Sequence, residues 1–285
     1  MIKLNRIKWA LRKISLPVKR RELVLDIGSG GYPYPRADIL VDRISGAEHR
    51  NNLSLITDRI TVLSDARRMP FKDKSIDFSI ASHVLEHISK PETFIQEMTR
   101  VSKRGYIEVP SALFERLFPY NIHCLEIDCI NQELIIQKKS KPVIDEFLSS
   151  FYYLDKKGTL GKIMHNNPEL FHVRLFWEGE IKFKIVNNQV DSSWVESIYF
   201  DKNSDSVESN ILANSFTWRN IGLFLATTFF KITRKKFRAD KVIKAILCCP
   251  ECYGDFDFKE SSVCCNNCGN QYSLEGSIYN FEVRS

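Results

Sequence analysis

Short apolar runs without helical period alternate with turns rich in glycine, proline and acids over the first 110 residues. Leu23, Val24, Leu25 and Ile27 form one run, ended by Gly28-Ser29-Gly30-Gly31. Ala37 to Val41 forms a second, closed by Asp42, and Ile60 to Ser64 a third, closed by Asp65-Ala66. Ile76 to Ala81 and Tyr106 to Pro110 supply a fourth and a fifth. Mainly apolar runs of this length, without helical period, predict strands buried on both faces, hence a parallel sheet. Ser89 and Glu92 read as a capping box that opens a helix reaching about Val101. Phe94, Ile95 and Met98 supply its buried face, and Gly105 is read as its stop. Five strands joined by short crossovers predict an α/β, doubly wound, Rossmann-like sheet. About ten residues separate the first strand from the second, the least a parallel return needs. Pro33 and Pro35 stand among them, so no full helix is expected there.

The remaining pattern is less regular. Leu134 to Ile136 and Ile181 to Val186 predict strands, Val143 to Tyr153 a helix, and Asn166-Asn167-Pro168 a turn. Near the start, Ile2, Leu4, Ile7, Trp9, Leu11, Ile14 and Leu16 recur at roughly helical spacing among basic residues. This stretch predicts an amphipathic helix packed on the main domain, with contact to anionic lipid or RNA as the competing reading. Residues 202–210 read as an exposed polar loop. Residues 216–238 concentrate apolar side chains before Arg234-Lys235-Lys236, and Arg219 and Asn220 interrupt the run. A buried linker helix and peripheral attachment to an anionic membrane both fit this segment, whereas a bilayer span does not.

Composition adds two constraints. The chain has 285 residues, 44% of them hydrophobic, and a formal charge of +6. That suits one sizeable α/β domain plus a small appendage, and permits contact with anions without requiring it. Six of the eight cysteines fall between positions 248 and 268. With no export signal visible, metal ligation is expected there rather than disulfides, and the expected setting is cytoplasmic, peripheral at the inner membrane face if 216–238 attaches. Cys249-Pro250-Glu251-Cys252 and Cys265-Asn266-Asn267-Cys268 are two C-x-x-C pairs twelve residues apart, a spacing that suits one tetrahedral structural Zn²⁺. Cys248 and Cys264 are weaker competitors, and Cys124 and Cys129 read as plain thiols. About 40 residues cannot fold on their own core, and a filled four-thiolate site would act as a staple rather than a catalyst.

Asp26 followed by Gly28 and Gly30 resembles motif I of class I S-adenosylmethionine (SAM)-dependent methyltransferases. The stretch from Asp65 through Met69-Pro70-Phe71 and Asp77-Phe78 to Leu85-Glu86-His87 resembles the type 11 branch of those enzymes. The resemblance covers about residues 22 to 112. It implies SAM as cofactor, with Asp26, Gly28, Ser29 and Gly30 cradling it and Asp42 accepting from the ribose hydroxyls. It also implies Asp65 at the adenine amino group with Ala66 beside it, and Ser82 and His83 at the methionine end. The frame from Ile246 to Cys252, with Tyr272-Ser273-Leu274 and Gly276-Ser277-Ile278, is similar to the zinc-ribbon activator subunit of several methyltransferases, here fused in cis. The expected domains are a basic N-terminal helix (1–21), a methyltransferase domain (22–215), a linker helix (216–242) and a C-terminal zinc ribbon (243–285).

Methyl transfer asks the protein mainly for positioning and exclusion of water, and a hydroxyl or amine acceptor would also gain from a general base. His83 and His87 are the catalytic candidates, with His123 behind them and a structural role for His87 as the alternative. No N-P-P-Y or Pro-Cys follows the fourth strand, which argues against methylation of adenine N6, glutamine amide or cytosine C5. The expected acceptor is a small molecule, lipid or glycan; RNA stands second, and a non-catalytic scaffold binding partners through the ribbon is the reading from another class.

Overall fold

The computed structural model describes residues 9, 11–43, 54–143, 146–155, 158–200, 225–230, 232 and 239–282. The strands are β1 (Val24–Ile27), β2 (Ile39–Asp42), β3 (Ile60–Leu63), β4 (Ile76–Ser82), β5 (Ser102–Pro110), β6 (Leu125–Ile130) and β7 (Glu133–Lys138). They continue with β8 (His172–Glu178), β9 (Phe183–Ile185), β10 (Phe256–Phe258), β11 (Ser262–Cys265), β12 (Gln271–Glu275) and β13 (Ile278–Asn280). Helices are α1 (Pro91–Val101), α2 (Ala112–Leu117), α3 (Glu146–Leu154), α4 (Thr159–Asn166), α5 (Pro168–Phe171), α6 (Trp194–Phe200) and α7 (Ala239–Ile246). A 3-10 turn spans Leu85–His87. Most of the N-terminal amphipathic stretch, the 202–210 loop and most of 216–238 lie outside the described residues. Among the described residues, no helix is long and apolar enough to cross a membrane.

Two compact units divide the chain. One, the ribbon unit, takes Lys13–Ile80, Thr93–Gly105 and Ser206–Ser285; the other, the histidine unit, takes Met1–Arg12, Ala81–Glu92 and Tyr106–Asp205.

In the ribbon unit, β1 pairs with β2 and β2 with β3, both in parallel. Val24, Leu25, Ile27, Ile39, Leu40, Val41 and Val62 are all fully buried, as the continuous apolar runs require. No helix forms between β1 and β2. The crossover is fastened instead by Asp38, whose carboxylate accepts from the Val24 N–H (2.9 Å) and from Arg36 Nη1 (2.7 Å). The strands β10 to β13 form an antiparallel meander. Its last strand, β13, then pairs in parallel with β3, setting Ile278 against Thr61, Tyr279 against Val62 and Asn280 against Leu63. The ribbon therefore continues the sheet, and its edge groups are satisfied by the main domain. Leu247 bridges Phe71, and the Cys248 N–H donates to the Pro70 carbonyl (3.1 Å), which fixes the Met69-Pro70-Phe71 turn to the ribbon. In strand order β4 follows β1, and β5 follows β4.

Gly105 does not end α1. The helix stops at Val101, and Gly105 lies inside β5, which starts four residues earlier than its apolar run. Near the other end of this helix, the Ser89 hydroxyl donates to Glu196 Oε1.

In the histidine unit β8 stands next to β5. A separate sheet has the order β6-β7-β9, with β6 and β7 antiparallel and β7 and β9 parallel. Asn131 (φ 51°) and Gln132 (φ 64°) make the two-residue turn of that hairpin, and positive φ at both positions matches the twist of the flanking strands.

Candidate functional site

The sequence-predicted residues gather in three clusters: the strand ends β1–β3, the cysteines, and a set of buried acids and histidines.

At the strand ends, Asp26 is 2% exposed, and its carboxylate accepts from the Tyr34 N–H (2.7 Å). Burial outweighs that bond and pushes its pKa up to about 6. Gly28 (φ 66°) and Gly30 (φ 51°) turn the chain through the left-handed region, which glycine enters without a Cβ penalty. The turn is tied to β2: the Gly28 and Ser29 N–H groups donate to the Val41 carbonyl, and the Gly30 N–H donates to Asp42 Oδ2 (2.9 Å). Asp42 Oδ1 accepts from the Arg43 N–H. Asp65, one residue beyond Ser64 after β3, is held by Arg67 through its guanidinium (2.7 Å) and its N–H (2.8 Å), with Arg43 at 3.7 Å. Burial works against its charge, and the Arg67 hydrogen bonds win, so its pKa is lowered. Ala66 follows, half-buried. The hydroxyls of Ser29 and Ser64 are buried at these ends without a hydrogen-bond partner. Two orphaned hydroxyls, two carboxylates and a bare glycine turn at neighbouring strand ends suit a ligand that carries hydroxyl and amino groups.

In the histidine unit, Ser82 ends β4 and its hydroxyl lies 3.4 Å from Glu108 Oε1. His83 adopts φ 58°, rare for a residue with a Cβ, with its N–H on the Glu108 carbonyl (2.8 Å). Its ring faces Glu86 Oε1 (3.2 Å) and Glu108 Oε1 (3.6 Å). Burial disfavours the charged ring, yet hydrogen bonds to Glu108 and Glu86 prevail and lift its pKa to about 9, although 43% of the side chain reaches solvent. Glu108 is fully buried within β5; it also accepts from Arg12 Nε (2.9 Å) and Tyr106 Oη (2.6 Å), and Arg12 lies over the Trp9 ring. His87 donates from Nδ1 to the Ile122 carbonyl (3.0 Å), and burial lowers its pKa to about 4. His123 Nδ1 meets Glu115 Oε2 (2.6 Å), and Lys139 Nζ meets Glu115 Oε1 (2.8 Å). Near neutral pH His83 is therefore an imidazolium and His87 an uncharged imidazole. Of the two expected bases, His83 has its ring held by two carboxylates that favour its protonated form.

Glu86, Glu108, Glu115, Arg12 and Lys139 are absent from the sequence-level candidates. An acid inside the apolar run Tyr106-Ile107-Glu108-Val109 was the available signal for Glu108.

The cysteines meet as expected. The sulfurs of Cys249, Cys252, Cys265 and Cys268 lie within 4.8 Å of one another, a set that could hold a metal ion. Backbone N–H groups of Glu251 and Asn267 point at Cys249 and Cys265 Sγ (3.4 Å each). A Cβ on Gly254 would stand 2.6 Å from the Asn267 Cβ and 3.2 Å from Cys265 Sγ, so the turn closes over the sulfurs only as glycine. Cys248 is buried, and burial pushes its thiol up to about 11, while Cys264 belongs to β11 facing Gln271.

Residues 25–107 match the type 11 family model described as "Methyltransferase domain". Over this segment the chain carries a methyltransferase domain. Among solved structures, this chain is similar to a chain of the complex between the Haloferax volcanii Trm112 methyltransferase activator and a methyltransferase, at 16% identity over 61% of this chain and 89% of that one, TM-score 0.39. YcgJ from Bacillus subtilis is similar at 17% identity over 56% and 82%, TM-score 0.30. An Anabaena variabilis methyltransferase from an antibiotic biosynthesis pathway is similar at 18% over 41% and 51%, TM-score 0.30. A search of curated proteins gives no match.

Proposed function

We propose that the enzyme transfers the SAM methyl group to a small-molecule, lipid or glycan acceptor, and that Cys249, Cys252, Cys265 and Cys268 hold a structural Zn²⁺. The observation carrying the first part is the placing of Asp42 and Asp65, with the unpartnered Ser29 and Ser64 hydroxyls, at the ends of adjacent parallel strands inside the matched segment. SAM brings a methyl already activated by its sulfonium, so the chain's share is binding and orientation. Asp42 would accept from paired ribose hydroxyls, Asp65 would face the adenine amino group with Ala66 beside it, and Asp26, Gly28, Ser29 and Gly30 would shape the cradle. Ser82 and His83 would serve the methionine end, His83 as a cation that orients. His87, uncharged near neutral pH, would be the ring suited to take a proton. Four soft donors closing on one point, with Gly254 needed for the closure, support the zinc assignment.

Calorimetry with SAM tests the cofactor reading. Asp42→Ala should weaken binding by about 1–3 kcal/mol, through loss of charged hydrogen bonds. An unchanged affinity would mean that the acid serves only the Gly30 turn. Incubating labelled SAM with fractionated lysate then identifies the acceptor; label entering RNA alone would overturn the acceptor class.

A further inference from the structure

We propose that Glu86, His87 and His123 form a second metal site, which takes a divalent first-row transition cation. The 3-10 turn sets Glu86 and His87 side by side, and the Cys124 N–H donates to the Glu86 carbonyl (2.9 Å), which fastens the His123 segment against that turn. One ligand atom from each of the three side chains lies within 4.8 Å of the others. The two rings stand edge to face, 4.6 Å between centroids.

Orientation of the imidazoles is set from outside the triad. A carbonyl oxygen can only accept, so His87 Nδ1 carries the proton given to Ile122. His123 Nδ1 is turned in the same way to Glu115, which Lys139 holds in turn. Nδ1 of each ring is thus the nitrogen turned to an oxygen outside the triad, the arrangement by which carboxylates and carbonyls orient metal-binding histidines. Glu86 supplies the independent sign. It is 1% exposed, His83 meets Oε1, and Oε2 is buried with no hydrogen-bond partner. A carboxylate oxygen buried without a partner is costly, and a cation at this point would remove the cost. Two imidazoles and one carboxylate suit Mn²⁺, Fe²⁺, Co²⁺ or Zn²⁺ better than Ca²⁺ or Mg²⁺, and three protein ligands leave positions open for an oxygen donor.

The test uses the full chain with the cysteine site loaded with zinc and loosely held metal removed by a weak chelator. Mn²⁺ is the probe, because thiolates are poor ligands for it. Electron paramagnetic resonance should show uptake of a single ion, with pulsed spectra reporting coupled imidazole nitrogens, and Mn²⁺ should raise the melting temperature. Glu86→Gln and His123→Gln should each weaken uptake roughly tenfold or more. No uptake at millimolar Mn²⁺, uptake without imidazole couplings, or a folded variant binding like the parent would each overturn the site. If either variant fails to fold, the imidazole couplings of the unaltered chain decide alone. The measurement contains no SAM, so its outcome is independent of the methyl-transfer reading.

Discussion

The sulfur cluster and the histidine–carboxylate cluster are both built around convergent ligand atoms, but they are held together in opposite ways. Around Cys249, Cys252, Cys265 and Cys268 the described partners are other sulfurs, a tyrosine hydroxyl and two backbone N–H groups. Nothing in that set supplies positive charge, so on the zinc proposal the ion would be what holds the four sulfurs together and the meander would need it to fold. In the histidine unit the three acids of the cluster already face basic groups of the same unit: Glu108 faces Arg12, Glu115 faces Lys139 and His123, and Glu86 faces His83. That cluster has its charges balanced without an ion, so the metal proposed there would add to a fold already held. The lesson is that convergent ligand atoms alone do not reveal what a metal does; the charges around them do.

The largest expected effect breaks the first side of this contrast. Cys252→Ser in the presence of a chelator should remove most of an apparent stabilisation of about 10–16 kcal/mol from the ribbon. Hydrogen exchange should then quicken through β10 to β13 and also at Thr61 to Leu63, which pair with β13. Unchanged protection would mean that the meander needs no metal. Next in size, Lys139→Met should cost about 3–5 kcal/mol in urea unfolding, because Glu115 would lose its buried cationic partner. A loss near zero would show that His123 alone satisfies Glu115.

Asp26 sharpens the comparison from a third position, buried with a hydrogen bond to a neutral N–H in place of an ion pair. Its folded pKa of about 6 lies above the ordinary 3.8, so the native state keeps the proton longer than the unfolded chain. The stability linked to this group is present below the ordinary value and is lost as pH rises through the folded one. Asp26→Asn keeps an acceptor for Tyr34 and removes the titration. Relative to this variant, the parent should lose up to roughly 3 kcal/mol of unfolding free energy between about pH 4 and pH 7. A difference that does not vary with pH would place the Asp26 pKa at its ordinary value.

How much was legible in the chain follows from how local each cause is. Strands β1 to β3 declare themselves because burial on both faces leaves almost no polar position to confuse the pattern, whereas β4 and β5 stay legible despite Asp77, Ser79 and Glu108. The missing crossover helix is read correctly from Pro33 and Pro35. The hairpin between β6 and β7 is not announced, because its left-handed turn uses Asn131 and Gln132 with no glycine. Gly105 misleads for the converse reason: a helix that runs straight into a strand at Ser102 needs no glycine to end it. The cysteine site is legible because its spacing lies within twenty residues. The ion pairs of the histidine unit join positions as distant as Arg12 and Glu108, and no local pattern records such a partner.

Because β13 runs alongside β3, the cysteine-bearing meander also serves as the outer rail of the parallel sheet. The Phe281 N–H donates to the Leu63 carbonyl, two residues before Asp65. On the zinc and cofactor readings proposed above, a chain deprived of zinc would shed that rail and leave the backbone leading to Asp65 open to water, so metal supply would set how many molecules are fit to receive a nucleoside.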